Sequence, residues 1–355
     1  MSRSWWTDRR VFVTGHTGFM GGWLCSYLLA HGARVSGFAL APPTTPSFFE
    51  AVDLGSRLES STIGDIRDLG LLQQAMASAN PEVVFHLAAQ PLVRTAYAEP
   101  VGTFSTNVMG TVNAMEAARD LADLSALLIV TTDKVYQNRQ WHWPYRENDP
   151  LGGKEPYSAS KTASEAVISA YHHSYFPRTG VAALRVGNII GGGDWAADRL
   201  VPDAVRGFVK DQPLVLRNPR ATRPWQHVLD PLHGYLKLAQ ALHDDHEAFS
   251  GGWNFGPAQR DCQPVETMAR TLSNAWGDGA KIEIQESSEI FEEKLLSLDS
   301  AKAQAELGWQ PRWNLQDAIG HTAHWYHAYY NGQDMWELTQ SQIGILDQSG
   351  GRHAG

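Results

Sequence analysis

Three glycines at a spacing of three, Gly15, Gly18 and Gly21, lie between a short apolar run and an apolar helical segment, and nothing else in the chain restricts its fold as strongly. Val11-Phe12-Val13-Thr14 has the character of a buried strand. The segment after Gly21 runs as a helix through Leu24, Leu28 and Leu29 and stops near His31-Gly32. A strand turning sharply into a helix needs glycine in three places: in the turn, where another group approaches the backbone, and where the helix presses on the strand. The helix then presents free N–H groups and a positive dipole end, which together favour a diphosphate.

The alternation continues. Arg34–Phe38, Val83–Ala88, Leu127–Thr131 and Val181–Val186 read as strands, with helices over roughly 101–121 and 158–176. Strands apolar on both faces and separated by helices imply a parallel sheet covered on both sides. The expected fold class is α/β, a doubly wound parallel sheet of the Rossmann type with a smaller C-terminal α/β domain. After Gly187 the texture becomes irregular and rich in Gly, Arg and Trp. The expected division is 1–187 plus about 226–257 for the cofactor domain, 188–225 and 258–335 for the substrate domain, and a frayed tail over 336–355. A strand is expected at Lys281–Ile284.

The chain of 355 residues carries a net charge of -9, which argues against general nucleic-acid binding. Its two cysteines, Cys25 and Cys262, stand in no metal-ligand spacing, so neither a metal nor a disulfide framework is expected. No apolar leader precedes the first strand and no apolar run is long enough to span a bilayer; the expected location is the cytoplasm.

Tyr157 and Lys161 sit four apart in Tyr-Ser-Ala-Ser-Lys and share one helical face. A lysine cation beside a phenol lowers its pKa and suits it to take a proton from a hydroxyl while the carbon beneath releases a hydride. The glycine cradle supplies a place for the acceptor. No acid follows the second strand, where Phe38-Ala39-Leu40-Ala41 stands, and no basic residue follows that would favour a 2′-phosphate; NAD is the expected cofactor. Asp65 is a candidate for the adenine edge or, alternatively, a helix N-cap. Thr132-Asp133-Lys134 follows the fourth strand, and strand C-termini carry the site in such sheets, so Asp133 and Lys134 form a candidate acid and base in the same crevice.

TGHTGFMG at 14–21, HLAAQ at 86–90, TNVMGT at 106–111, TTDKVY at 131–136 and YSASK at 157–161 resemble the extended short-chain dehydrogenase/reductase family. QPLVR at 90–94, RVGNIIGGGDWAADRLVPD at 185–203, RPWQHVLDPL at 223–232 and NFGP at 254–257 narrow the resemblance to its nucleotide-sugar 4,6-dehydratases. These usually carry glutamate where Lys134 stands, as base at C5; the branch acting on CDP-glucose is similar to this chain in carrying lysine.

The resemblance implies a cycle. Tyr157, with Lys161 and Thr132, removes the C4 hydroxyl proton as C4 gives a hydride to NAD. Lys134 takes the C5 proton, protonated Asp133 releases the C6 hydroxyl as water, and the hydride returns to C6. It also implies cofactor contacts at Gly15, Thr17, Gly18, Phe19, Met20, Gly21, Asp65, Ile66, Leu87, Ala88, Ala89, Asn107, Tyr157 and Lys161. Substrate contacts fall on Gln90, Arg94, Asn188, Arg199, Arg223 and His227, with Trp225 beside the base or sugar. Arg199 and Arg223 could instead form ion pairs with Asp194, Asp198 or Asp203, and Asn107 could only fix its helix. Helices carrying Val108, Val112, Met115, Val167 and Ile168 are expected to pack against a second subunit, giving a homodimer or homotetramer. The rival readings are a 4-epimerase, a dehydratase of another nucleotide sugar, and an NAD-binding regulator without catalysis.

Overall fold

The computed structural model describes residues 4–277, 279–285 and 295–350. Seven strands form one sheet: β1 (Arg10–Thr14), β2 (Arg34–Ala39), β3 (Ser60–Ile63), β4 (Val83–His86), β5 (Ala126–Val130), β6 (Gly180–Arg185) and β7 (Gly251–Asn254). Their spatial order is β7-β6-β5-β4-β1-β2-β3, and every pairing is parallel. The order reverses beside β1, which opens a crevice at the C-terminal ends of β1 and β4.

The strands are apolar on both sides because both sides are covered. Val11, Val13, Phe85, Leu128 and Leu184 face a core shared with helices α1 (Phe19–Ala30) and, later in the chain, Leu229–Asp244. Phe12, Val84, Leu127, Ile129 and Val181 face a second core with α2 (Gly110–Ala118) and α3 (Pro156–Tyr175). The helix expected over 101–121 is broken into Pro100–Phe104, a wide π-turn at Ser105–Met109, and α2.

Three short pairings build the part beyond β6: Ile189–Ile190 with Gln226–His227, Thr222–Pro224 with Cys262–Pro264, and Leu214–Leu216 with Ile282–Ile284. The first of the two cores does not stop at β6. It continues through Trp195, Trp225, Trp309, Trp313 and Trp325, so much of the tryptophan content is core packing.

Two differences from expectation have simple causes. Strand β3 reads Ser-Ser-Thr-Ile, an edge strand with little to bury, and carries no apolar signal. The tail expected from 336 is a helix, Met335–Ser349, capped by Asp334, with Met335, Ile343 and Leu346 packed into the core. Tyr27 of α1 donates a hydrogen bond to its Asp347 at 2.6 Å. Residues 351–355 lie outside the described residues.

Candidate active site

The glycine turn is as tight as its spacing requires at two of three positions. Gly15 has φ +79°, and a Cβ there would lie 2.8 Å from the Ala88 nitrogen. A Cβ on Gly21 would lie 2.1 Å from the Gly15 carbonyl oxygen. Gly18, the N-cap of α1, would meet only the Gly15 oxygen at 3.3 Å, so space stays open over the helix N-terminus. No acidic residue occupies the first turn, where Phe19 and Met20 are half-buried. The cradle therefore fits a diphosphate. Thr17 Oγ1 donates to the Leu40 carbonyl at 2.8 Å. Thr14 Oγ1 accepts from the amides of Leu87 (3.1 Å) and Ala88 (3.2 Å), which ties the end of β4 to the cradle and sets half-buried Leu87, Ala88 and Ala89 along it. Leu40 and Ile63 stand exposed after β2 and at the end of β3.

Three residues expected at the cofactor also have partners within the protein. Asp65 accepts from Arg67 Nε at 2.9 Å, which holds its carboxyl below the usual range, and the N-cap of the next helix is Asp68. Ile66 is buried in the second core, its carbonyl accepting from Asn113. Asn107 is buried in the π-turn. Its Oδ1 accepts from the Gln90 amide (2.8 Å), and its Nδ2 donates to the Gln90 carbonyl (3.1 Å) and to Ser160 Oγ (2.9 Å). It fixes its neighbours and has no polar atom left over.

Glu155 starts α3 with a capping box, accepting from the amides of Tyr157 (2.7 Å) and Ser158 (2.8 Å), and Pro156 fills the first helical position. Tyr157 and Lys161 are thereby buried one turn apart, and Lys161 Nζ donates to the Val130 carbonyl at 3.0 Å. The Tyr157 hydroxyl meets Thr132, just past β5. Burial pushes the phenol up to about 12, against the neighbouring Thr132 side chain and the charge of Arg199, which pull it down. The expected depression by Lys161 is not what dominates in the protein alone. Burial also draws Lys161 down to about 8, opposed by Glu165, and holds His86 at about 3.

Thr132 joins the two halves of the site. Its Oγ1 donates to Asp133 Oδ1 at 3.1 Å and accepts from the Lys134 amide at 3.3 Å, which curls Asp133–Val135 into a short turn. Asp133 is 2% exposed. Its carboxyl lies against Gly187, where a Cβ would come within 1.9 Å of Oδ2. Lys134 is half-buried on the same turn.

With this geometry in place, the comparisons with known proteins decide the family. A model described as GDP-mannose 4,6 dehydratase matches residues 12–322. The chain belongs to that family. It is 46% identical to CDP-glucose 4,6-dehydratase of Salmonella typhimurium over 97% of each chain, and 26% identical to dTDP-glucose 4,6-dehydratase of Haemophilus influenzae over 89% of this chain and 97% of that one. Among solved structures, dTDP-glucose 4,6-dehydratase from Bacillus anthracis in complex with NAD superposes with a TM-score of 0.77 at 20% identity, covering 94% of this chain and all of that one.

The family's substrate side is more tied up than the sequence suggests. Gln90 donates to Thr103 and accepts from the Leu92 amide. Arg199 pairs with Asp194 at 2.9 Å, the ion pair weighed as its alternative, and Arg94 pairs with Asp198 at 3.3 Å. Arg199 still lies close enough to Tyr157 for each to influence the other's charge. Arg223 Nη1 donates to the Thr222 carbonyl. Asn188 has φ +46° in the turn between β6 and Ile189–Ile190. His227, expected at the substrate, is fully enclosed between Trp23 and Trp313, and burial keeps it neutral. Trp225 is likewise core, its Nε1 donating to the Gln263 carbonyl.

Three residues went unsingled in the sequence: Gly187, Glu165 and Arg185. Glu165 could have been found, since it continues the four-residue spacing of Tyr157 and Lys161. Among the described residues no group of His, Cys, Asp and Glu could hold a metal ion, and no helix is long and apolar enough to cross a membrane.

Proposed function

We propose that this chain is an NAD-dependent hydro-lyase that converts CDP-D-glucose to CDP-4-keto-6-deoxy-D-glucose. One observation carries the reading: Thr132 contacts both Tyr157 and Asp133, so the pair suited to oxidation and the segment suited to elimination share one buried crevice. The 46% identity over 97% of both chains to the Salmonella typhimurium CDP-glucose 4,6-dehydratase supports the substrate.

Gly15, Thr17, Gly18, Phe19, Met20 and Gly21 would hold the cofactor diphosphate, with Leu87–Ala89, Tyr157 and Lys161 beside its reactive end and Asp65 with Arg67 near the adenosine. Bound there, NAD would supply the hydride chemistry, oxidation at C4 and reduction at C6 of the sugar. Tyr157 removes the C4 hydroxyl proton, aided by Lys161 and by the neighbouring Thr132 side chain. The 4-ketone acidifies the C5 proton. Lys134, as the neutral amine, removes that proton. Asp133, protonated, donates to the C6 oxygen, which leaves as water, and the proton held by Lys134 returns to C5 as C6 is reduced. Asn188, Arg199 and Arg223 meet the substrate diphosphate, which requires Arg199 to exchange Asp194 for phosphate oxygens.

In this reading 1–187 with about 226–257 serves the cofactor, 188–225 with 258–335 serves the substrate, and the enzyme works in the cytoplasm as a homodimer or homotetramer. Met115 and Ile168 face the sheet and cannot meet a partner. The outward residues Val101, Phe104 and Met109, with half-buried Val108 and Val112, form the stripe that can. Incubation with CDP-glucose and NAD should give a product lacking one water, whose 4-ketone absorbs in alkali. A product of unchanged mass indicates an epimerase, and turnover of a different nucleotide sugar alone refutes the substrate.

A further inference from the structure

We infer that the buried Glu165–Arg185 ion pair is a positioning element of this crevice, one that aligns Lys161 with the Thr131–Lys134 segment and compensates the lysine's buried charge. The inference rests on the proposed reaction for its kinetic consequences only.

Glu165 lies one turn after Lys161 on α3 and is equally buried. Its two oxygens accept from Arg185 Nε and Nη2, both at 2.9 Å, in a bidentate fork. Oε1 also accepts from Thr131 Oγ1 at 2.8 Å. Thr131 follows Val130, whose carbonyl takes the Lys161 bond, and precedes Thr132 and Asp133. Arg185 ends β6, two residues before the Gly187 that backs Asp133. One carboxylate thus joins the helix carrying the redox pair, the strand end carrying the acid and base, and the strand end shaping the acid's space.

The pair is completed on its far side. Arg185 Nη1 donates to the Tyr136 hydroxyl and the Glu147 carbonyl, both at 2.9 Å, and Tyr136 passes a hydrogen bond to Asn254. A buried ion pair is weak grounds for stability, because a well-packed apolar pair often serves as well. What an apolar pair cannot supply is a negative charge beside Lys161. Around that lysine stand His86 from β4, kept neutral, Glu165 and Tyr157 on its own helix, and Asp133 and Lys134 past β5, with Arg185 beyond Glu165. Of these, Glu165 opposes the effect of burial on the amine.

Two variants and two readouts test this. The first readout is the titration of Lys161 Nζ, followed by ¹⁵N chemical shift in the protein without substrate; the second is kcat and KM against pH with CDP-glucose and NAD. Lys161 acts as the cation, so activity is lost as pH rises through its titration. Removing the opposing charge in Glu165→Gln should move both the Nζ titration and the alkaline limb of kcat to lower pH by about one unit, while Glu165→Asp should restore them. Thr131→Val keeps the charge and removes one tie. It should leave the Nζ titration in place and lower kcat about tenfold at unchanged KM. A Glu165→Gln titration coinciding with wild type overturns the charge role. Wild-type kinetics in Thr131→Val overturn the alignment role, and that near-isosteric variant reports even where Glu165→Gln does not fold. Wild type inert on CDP-glucose would sink the proposed reaction, yet the Nζ titration would still decide the charge role.

Discussion

Gly187 leaves Asp133 no slack: any side chain there must displace the carboxyl it backs. Gly187→Ala is therefore expected to reduce kcat about 100-fold while sparing C4 oxidation, measured as ketone formed against water lost. Lys134→Met should leave C4 oxidation intact and stop exchange of the C5 proton with solvent deuterium; exchange that persists excludes Lys134 as the base. Residues of this kind differ in how far a sequence exposes them. Tyr157, Lys161 and Asp133 are legible because their chemistry depends on local spacing and on standing at a strand end. Gly187 is not, because its reason is a contact with a residue remote in the chain. His227 misleads for the opposite cause. A histidine in a Gly/Arg/Trp-rich stretch suggests a ligand contact, and only packing reveals that two tryptophans enclose it.

The helix α3 shows the same division between elements. Its start is written locally, in Glu155, Pro156 and Ser158, and the cap fixes the backbone at Tyr157 itself. Glu155→Ala should cost about 1 kcal/mol, read by thermal or denaturant unfolding, and lower kcat more than KM rises. The π-turn before α2 has no such local signature. It opens because the Asn107 carbonyl accepts from the side chains of Thr111 and Ser164, the second of which lies on another helix. The polar edge strand β3 and the closing helix Met335–Ser349 were hidden for a related reason. Each is held by what it packs against, and neither declares itself by composition.

At the scale of the molecule, the alternation of strands and helices and the glycine turn made the doubly wound sheet legible, while the continuation of its first core beyond β6 was not. Asp230 lies deep in that core. Its Oδ1 accepts from the Arg312 amide at 2.7 Å, its Oδ2 has no hydrogen-bond partner among the described residues, and burial raises its carboxyl to about 7 from 3.8. A raised carboxyl favours the folded state at low pH, fully so below 3.8, and that contribution is lost as pH rises through about 7. Asp230→Asn should therefore gain up to about 4 kcal/mol over wild type at pH 8 and nothing near pH 4, compared by denaturant unfolding. The subunit face makes its own prediction. Val101 is 82% exposed, so Val101→Asp should leave the fold intact and shift sedimentation from dimer or tetramer toward monomer. An internal redox dehydration carries the C4 hydrogen to C6 of the same sugar, so CDP-glucose deuterated at C4 is the substrate to follow. The 4-keto-6-deoxy product should carry that deuterium at C6; deuterium retained at C4 of an epimer, or no product at all, would overturn the mechanism.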